Sequence, residues 1–206
     1  MDTAPRRCFR DPIPEIDQAA RYLDEAVSSH ADGRVNDAEE LIRLADMPIL
    51  RAWTESVWGR KSTYVRLVAN GPSLVVLPKA ARVRVRMPTL FEKSLLHTRD
   101  GFHCRFCGIP VIRKEVRDRI KRFYPKALSW GRSNQTQHAA FQAMWLQYDH
   151  VLPHARGGNN DLSNVIVTCA PCNYGRMDRT LEEVALADPR LREPIRSTWD
   201  GLERFR

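Results

Sequence analysis

The sequence predicts an α+β fold, and three observations carry that expectation. The first sixty residues space their apolar side chains as helices do. The next thirty show β-branched runs and strict alternation. Further on, two Cys-x-x-Cys pairs bracket a strand-loop-strand pattern that leads into a helix. With 206 residues, the chain can hold one ordinary domain or a small module attached to another. Four regions are expected: a helical region at 1–60, a β-hairpin or small sheet at 61–94, the cysteine-bearing region at 95–180, and a C-terminal helical extension at 181–206.

Each element has a local reason. In "EIDQAARYLDEAVSSHA", Ile16, Ala19, Ala20, Leu23 and Val27 share one helical face. In "NDAEELIRLAD", Asn36 is a candidate N-cap, and Glu39 would complete a capping box. Pro48 opens a third helix, which Gly59 would end. "TYVRLVAN" and "SLVVLPK" flank an Asn-Gly-Pro turn. "ARVRVRMP" then sets Arg82, Arg84 and Arg86 on one side of a strand, with Val83 and Val85 on the other. "VIRKEVRDRIKRFY" reads as a helix whose apolar side is Val111, Val116, Ile120 and Phe123. "TQHAAFQAMW" fits a strand or a short helix. "LQYDHVLP" reads as a strand, "HARGGNNDLS" as an ordered loop and "NVIVTC" as a buried strand. A helix begins near Cys172, and "TLEEVALAD" reads as another, closed by Pro189.

The net charge is +8 and unevenly placed. Residues 1–60 hold 8 basic and 12 acidic side chains, whereas 61–206 hold 25 and 13. Such a split points the later part of the chain at a polyanion. No run of eighteen apolar residues occurs, so a membrane partner is not expected. The N-terminal stretch has no apolar segment of signal-peptide length, and a cytoplasmic location is expected.

Cys8 stands alone, while Cys104 with Cys107 and Cys169 with Cys172 repeat the same two-residue spacer. An odd cysteine count without a secretory signal argues against a disulfide framework. Two such knuckles complete a tetrahedral four-sulfur set suited to structural zinc. Redox chemistry at one pair, an iron-sulfur cluster and four unrelated core cysteines are the competing readings. The doubled spacing, without a surrounding βαβ pattern, favours zinc. With four cysteines complete, His97 and His103 read as packing or surface residues.

Asp149 and His150 end the strand that precedes the loop. Adjacent strand residues point to opposite sides, so one can bind a metal while the other addresses water. Asp149 offers a carboxylate, and Asn173, at the start of the following helix, offers an amide oxygen. Both suit magnesium or manganese as hard ligands. Gly157 and Gly158 allow a tight loop. His154 could assist metal or phosphate binding, or cap the loop.

"DHVLPHARGGNNDLSNVIVTCAPCNYGR", with "RDGFHCRFCG" upstream, resembles the core of the HNH endonucleases. This is the ββα-metal or His-Me finger family, in its branch with a four-cysteine structural zinc. The resemblance spans about residues 97–178. It implies that region 95–180 is an HNH nuclease domain with a zinc-stabilised ββα core. It also implies His150 as general base, Asp149 as metal ligand, Asn164 as the residue that ties the loop and helps orient the base, and Asn173 as metal ligand where many members have histidine. Arg176 falls where relatives often carry a basic residue that contacts phosphate. The implied activity is hydrolysis of DNA phosphodiester bonds leaving a 5′-phosphate, with double-stranded DNA as the expected partner.

Residues 99–132 carry ten basic and three acidic side chains, and Arg113, Arg117 and Lys121 recur every four residues. That spacing predicts a basic helical stripe toward phosphates. A zinc-containing nucleic-acid-binding module without cleavage, and an RNA-directed nuclease, are the alternative functions. The N-terminal helices and the strand pair could add a specificity surface or a homodimer contact.

Overall fold

A computed structural model of the chain describes residues 4–58, 62–68, 74–84 and 87–206. These residues form seven α-helices and a two-stranded antiparallel sheet, the mixed α+β class that the sequence predicts. The N-terminal helices are α1 (Pro14–Ala31), α2 (Val35–Leu44) and α3 (Pro48–Val57). The face of α1 read from the sequence is buried, and α1 packs on α2. Asn36 does not cap α2. The helix starts at Val35 behind Arg34, without a side-chain cap, and Glu39 pairs with Arg43 instead. Trp53 of α3 is buried, and its indole nitrogen donates to the Asp11 carbonyl at 2.9 Å. The helix ends at Val57, and Gly59 lies outside the described residues.

The expected hairpin at 61–94 does not form among the described residues. Lys79–Ala81 is a single 3₁₀ turn, and α4 (Leu90–Asp100) follows. The Asn70-Gly71-Pro72 turn, Val85 and Arg86 lie outside the described residues. Alternation makes a strand only when one face is buried against a partner. Here Val75, Val76 and Val83 are exposed. The segment's backbone instead reaches across to a loop: Leu77 N–H donates to the Ala155 carbonyl at 2.8 Å. A capping box at Thr89 and Glu92 opens α4.

The remaining elements are α5 (Lys114–Phe123), α6 (Ala139–Ala143), β1 (Leu146–His150), β2 (Val165–Cys169) and α7 (Ala170–Arg176). Val116 and Ile120 of α5 are buried and Phe123 is not. At 57 % exposure, its ring meets Phe205 and His30 edge-on at the surface. β1 and β2 pair from Leu146 with Cys169 to His150 with Val165. Every residue of β2 is buried, as a strand covered on both faces must be. β1, β2 and α7 in succession make a ββα unit. Helix α3 rests on α6 and α7, and Trp58 stacks on Tyr174 with ring centroids 4.8 Å apart. The N-terminal helices thus buttress the back of this unit.

No α-helix forms after α7. "TLEEVALAD" begins as one, with a reciprocal box between Thr180 and Glu183. It stops because Leu186 bridges to Arg6 and Ala185 turns to φ +50°. Pro189 then opens a 3₁₀ turn rather than closing a helix. The C-terminus packs as irregular chain: Leu202 and Phe205 are buried, and Trp199 donates to the Val111 carbonyl at 3.2 Å.

Candidate active site and metal centre

The two cysteine pairs meet. The sulfur atoms of Cys104, Cys107, Cys169 and Cys172 all lie within 4.8 Å of one another, and every one of these residues is buried. The first pair sits on a tight turn closed by Cys104 N–H to the Ile109 carbonyl and Gly108 N–H to the Cys104 carbonyl, both at 2.9 Å. The second pair spans the β2–α7 junction. Arg105 N–H donates to the Val167 carbonyl at 2.9 Å, docking the turn on β2. A tetrahedral zinc with Zn–S of about 2.3 Å separates its sulfurs by about 3.8 Å. The Cys107 and Cys169 sulfurs are 3.6 Å apart, so the set fits that ion. Burial works against the Cys104 thiolate, yet hydrogen bonds from Cys107, Cys169 and Cys172 take its pKa well below the ordinary thiol value. Burial, then hydrogen bonding with Cys104 and Cys107, drives the Cys169 thiol well up. Four buried thiols in mutual contact form a set whose deprotonation a divalent cation favours. Cys8 stands apart as a buried thiol, pushed up to about 12 chiefly by burial.

At the other end of the same hairpin, β1 delivers Asp149 and His150, both buried. Arg176, the last residue of α7, is fully buried against them. Its Nε donates to Asp149 Oδ2 at 2.9 Å and one Nη to Oδ1 at 2.5 Å. The same guanidinium donates to the carbonyls of His150, Val151 and Arg179. Arg176 therefore does not face outward toward phosphate, as its position in the resemblance implied. It locks the end of α7 to the end of β1. Burial pushes the Asp149 carboxyl above its ordinary value, and the Arg176 charge and hydrogen bonds pull it back.

Breaking a buried, hydrogen-bonded ion pair from one side costs about 3–5 kcal/mol. Arg176→Met is accordingly expected to lower the urea midpoint by that much stability, and adding Asp149→Asn should return part of the loss. A single variant as stable as the parent would show that the pair does not hold the two elements together.

The loop between the strands is closed by Asn164. Its side-chain oxygen accepts from Leu152 N–H at 2.8 Å, and its amide nitrogen donates to the carbonyls of Leu152 at 3.2 Å and Asn159 at 2.9 Å. Gly158 lies so close to the Leu152 carbonyl that a Cβ would sit 1.8 Å from its oxygen, and Gly157 takes φ +95°. Both glycines are therefore needed for this closure. His150 Nε2 lies 2.8 Å from Asn160 Oδ1, a partner that no spacing or motif signals. His154 Nε2 donates to the Val83 carbonyl at 2.8 Å, and its ring centroid is 5.9 Å from that of His150. His154 is thus a clasp that fastens the segment 74–84 over the loop. Asn173 sits half-buried on α7, and among the described residues nothing hydrogen-bonds its side-chain amide.

The basic stripe is largely spent within the fold. Arg113 pairs with Glu203. Arg117 is buried, pairs with Asp118 and lies over the Trp130 ring at 3.7 Å. Lys121 reaches the Trp130 carbonyl at 3.4 Å. Lys114, Arg122, Lys126 and Arg132 are the exposed cations of residues 99–132. Spacing along a helix could not reveal the tryptophans and the glutamate that take up the stripe.

His97 and His103 are packing residues, as expected. His97 Nε2 lies 2.8 Å from the Tyr148 hydroxyl, and burial lowers its pKa to about 4. Sequence reasoning also missed Asp100, buried on α4, which accepts from Val167 N–H at 3.0 Å. Its neighbour Arg99 donates to the carbonyls of Leu162 and Val165, so this pair holds the loop exit and β2 in place.

Residues 139–185 match the family model described as HNH endonuclease. No curated protein and no solved structure matches the chain. The matched segment contains α6, the whole ββα unit, Asp149, His150, Asn164 and Asn173. Cys104 and Cys107 reach the unit from outside it. The segment that matches the HNH endonuclease model thus coincides with the ββα unit, and the four-cysteine cluster lies at the base of that unit.

Proposed function

We propose that the protein is a metal-dependent endonuclease that hydrolyses DNA phosphodiester bonds. The observation that carries this reading is the convergence of Asp149, His150 and α7 at one end of the hairpin, inside the segment that matches the nuclease family. His150 is the general base. An imidazole is the side chain suited to general-base work, and this ring is held by a hydrogen bond at 2.8 Å. Asn164 keeps the loop folded beneath that ring.

Asp149 and Asn173 are the residues that would hold magnesium or manganese. Arg176 uses one lone pair on each Asp149 oxygen, and a carboxylate has about four such sites, so the acid retains acceptor capacity. The Asn173 amide has no competing partner among the described residues. A bound divalent ion supplies charge neutralisation at the phosphoryl oxygens and the leaving oxygen.

Backbone binding falls to exposed cations. Lys79 and Arg84 lie on the segment that His154 fastens to the loop, and Lys114, Arg122 and Lys126 lie on or just beyond α5. Double-stranded DNA is the proposed partner. The zinc is structural, because four thiols leave no open position on it.

The test is incubation of the zinc-loaded protein with supercoiled plasmid, with and without magnesium or manganese, beside a structured RNA. Metal-dependent nicking or linearisation of the plasmid is expected. Cleavage of RNA alone would move the substrate class. Binding to both without cutting would favour the zinc-containing binding module.

A further inference from the structure

We propose that the cavity between the turn carrying Cys104 and Cys107 and the C-terminal segment is a binding site for a phosphate group, taken by Arg7, Arg105 and Arg192. All three arginines line this cavity, whose volume is about 210 Å³. One water takes about 30 Å³ of the liquid, so a phosphate and its nearest waters have room. The cavity is not the zinc site, because Cys104 lines it and Cys107, Cys169 and Cys172 do not. Nor is it the Asp149–His150 end of the hairpin. Cys169, in the cluster with Cys104, pairs with Leu146 at the other end of β1, four residues or about 13 Å from His150. The site therefore does not rest on the nuclease reading.

The unmet donors carry the proposal. The Arg105 side chain is only 7 % exposed, yet its Nε has no hydrogen-bond partner. Arg192 has both Nε and Nη1 buried and equally unmet. A buried charged donor without an acceptor is costly, so a ligand that supplies one is favoured there. The acceptors these side chains do find are main-chain carbonyls: Pro189 and Arg192 for Arg105, Arg105 and Phe106 for Arg192, and Phe106 for Arg7. Asp100 Oδ1 stands 3.7 Å from Arg105 Nε, but Asp100 already accepts from Arg99 on both oxygens. Among the described residues neither Arg7 nor Arg192 has an ion pair, although the exposed Glu193 shares the lining. Burial, then the charges of Arg7 and Arg105, lowers the Arg192 pKa, so like charges are gathered here. A zinc on four thiolates is itself anionic and attracts the same arginines. Among the described residues, however, none of their nitrogens donates to a cysteine sulfur. Guanidinium groups with open N–H positions match a multiply charged anion with several acceptor oxygens, which is the chemistry of phosphate. A nucleic-acid backbone and free phosphate both present it.

The experiment titrates the zinc-loaded full chain with inorganic phosphate by calorimetry, against chloride at constant ionic strength. Saturable phosphate binding is expected. Arg7→Gln and Arg192→Gln should each weaken it about 10-fold or more, as for loss of a charge-assisted hydrogen bond. Glu193→Gln should tighten it about 2- to 5-fold, the smaller change expected of an exposed charge. Zinc content and urea midpoint are measured for each variant. Should Arg192→Gln loosen the C-terminal segment, the exposed positions 7 and 193 still decide the matter, because their effects run in opposite directions. Duplex DNA is titrated in parallel. Weaker duplex binding by Arg7→Gln identifies a backbone phosphate as the occupant, and unchanged duplex binding identifies free phosphate. Phosphate binding no better than chloride overturns the proposal, as does phosphate affinity unchanged in both Arg7→Gln and Glu193→Gln.

Discussion

Replacing Cys104 and Cys169 together by serine is expected to abolish zinc retention and unfold the ββα unit. The effect should be the largest of any change in the chain. The four thiols are buried, and they come from two segments 65 residues apart in sequence. Structural zinc in small modules contributes about 10–16 kcal/mol of apparent binding energy at neutral pH. A whole domain is stable by only about 5–15 kcal/mol, so the ion decides whether this region folds. The loss should also be uneven. Helices α1 and α2 pack chiefly on each other, with Ile16 and Leu23 almost inaccessible. They should keep part of the far-UV helical signal, while the near-UV signal of Trp145 and Tyr148, beside the hairpin, collapses. Metal analysis after dialysis and denaturant titration followed by both signals test this. A double variant that keeps one zinc per chain, or loses it without loss of stability, would show that the cysteines do not hold the ion or that the fold does not need it.

What could be read from the sequence follows the range of the interaction that fixes each feature. The cysteine spacing, the Asp-His strand end and the Gly-Gly loop are short-range patterns, and each lies where expected. The strands at 146–150 and 165–169 were legible because a buried strand is a run of apolar residues between loop signals. The region 61–94 misled for the opposite reason. Its alternation is real, but among the described residues no neighbouring strand buries one face, and Leu77 and Val83 hydrogen-bond to a loop more than seventy residues on. "TLEEVALAD" has good helical content and a capping box, yet the bridge from Leu186 to Arg6 stops it. Arg113 and Arg117 looked like a docking stripe because a periodic pattern cannot display Glu203, Trp130 or Trp145. Arg176 is the sharpest case. A basic residue near a phosphodiester site suggests contact with phosphate, and only three dimensions place it, fully buried, on Asp149. Asn160 sits in a polar loop where any of several residues could have met the imidazole.

His150→Ala is expected to keep the fold, the zinc and most DNA affinity while cleavage falls about 10²- to 10⁴-fold, the usual cost of removing a positioned base. The reasons for the separation are structural. The imidazole is hydrogen-bonded to Asn160, whereas the backbone at His150 is held by strand pairing with Val165 and by Arg176 at its carbonyl. Removing the ring leaves those main-chain ties in place. On the proposed reading, exposed cations elsewhere would supply attraction to phosphates, an interaction present before and during the reaction, so it would raise affinity without substituting for the base. Asp149→Ala should behave differently. It removes a proposed metal ligand and also leaves the fully buried Arg176 without its carboxylate, so stability should fall along with cleavage. Measuring the urea midpoint of each variant before its activity distinguishes the two causes. The decisive comparison is single-turnover cleavage across a magnesium titration, with DNA binding measured separately in calcium. A His150→Ala protein that folds as the parent does and still cuts at a near-parental rate would remove the base from the mechanism. The tied imidazole at the end of β1 would then be a structural histidine.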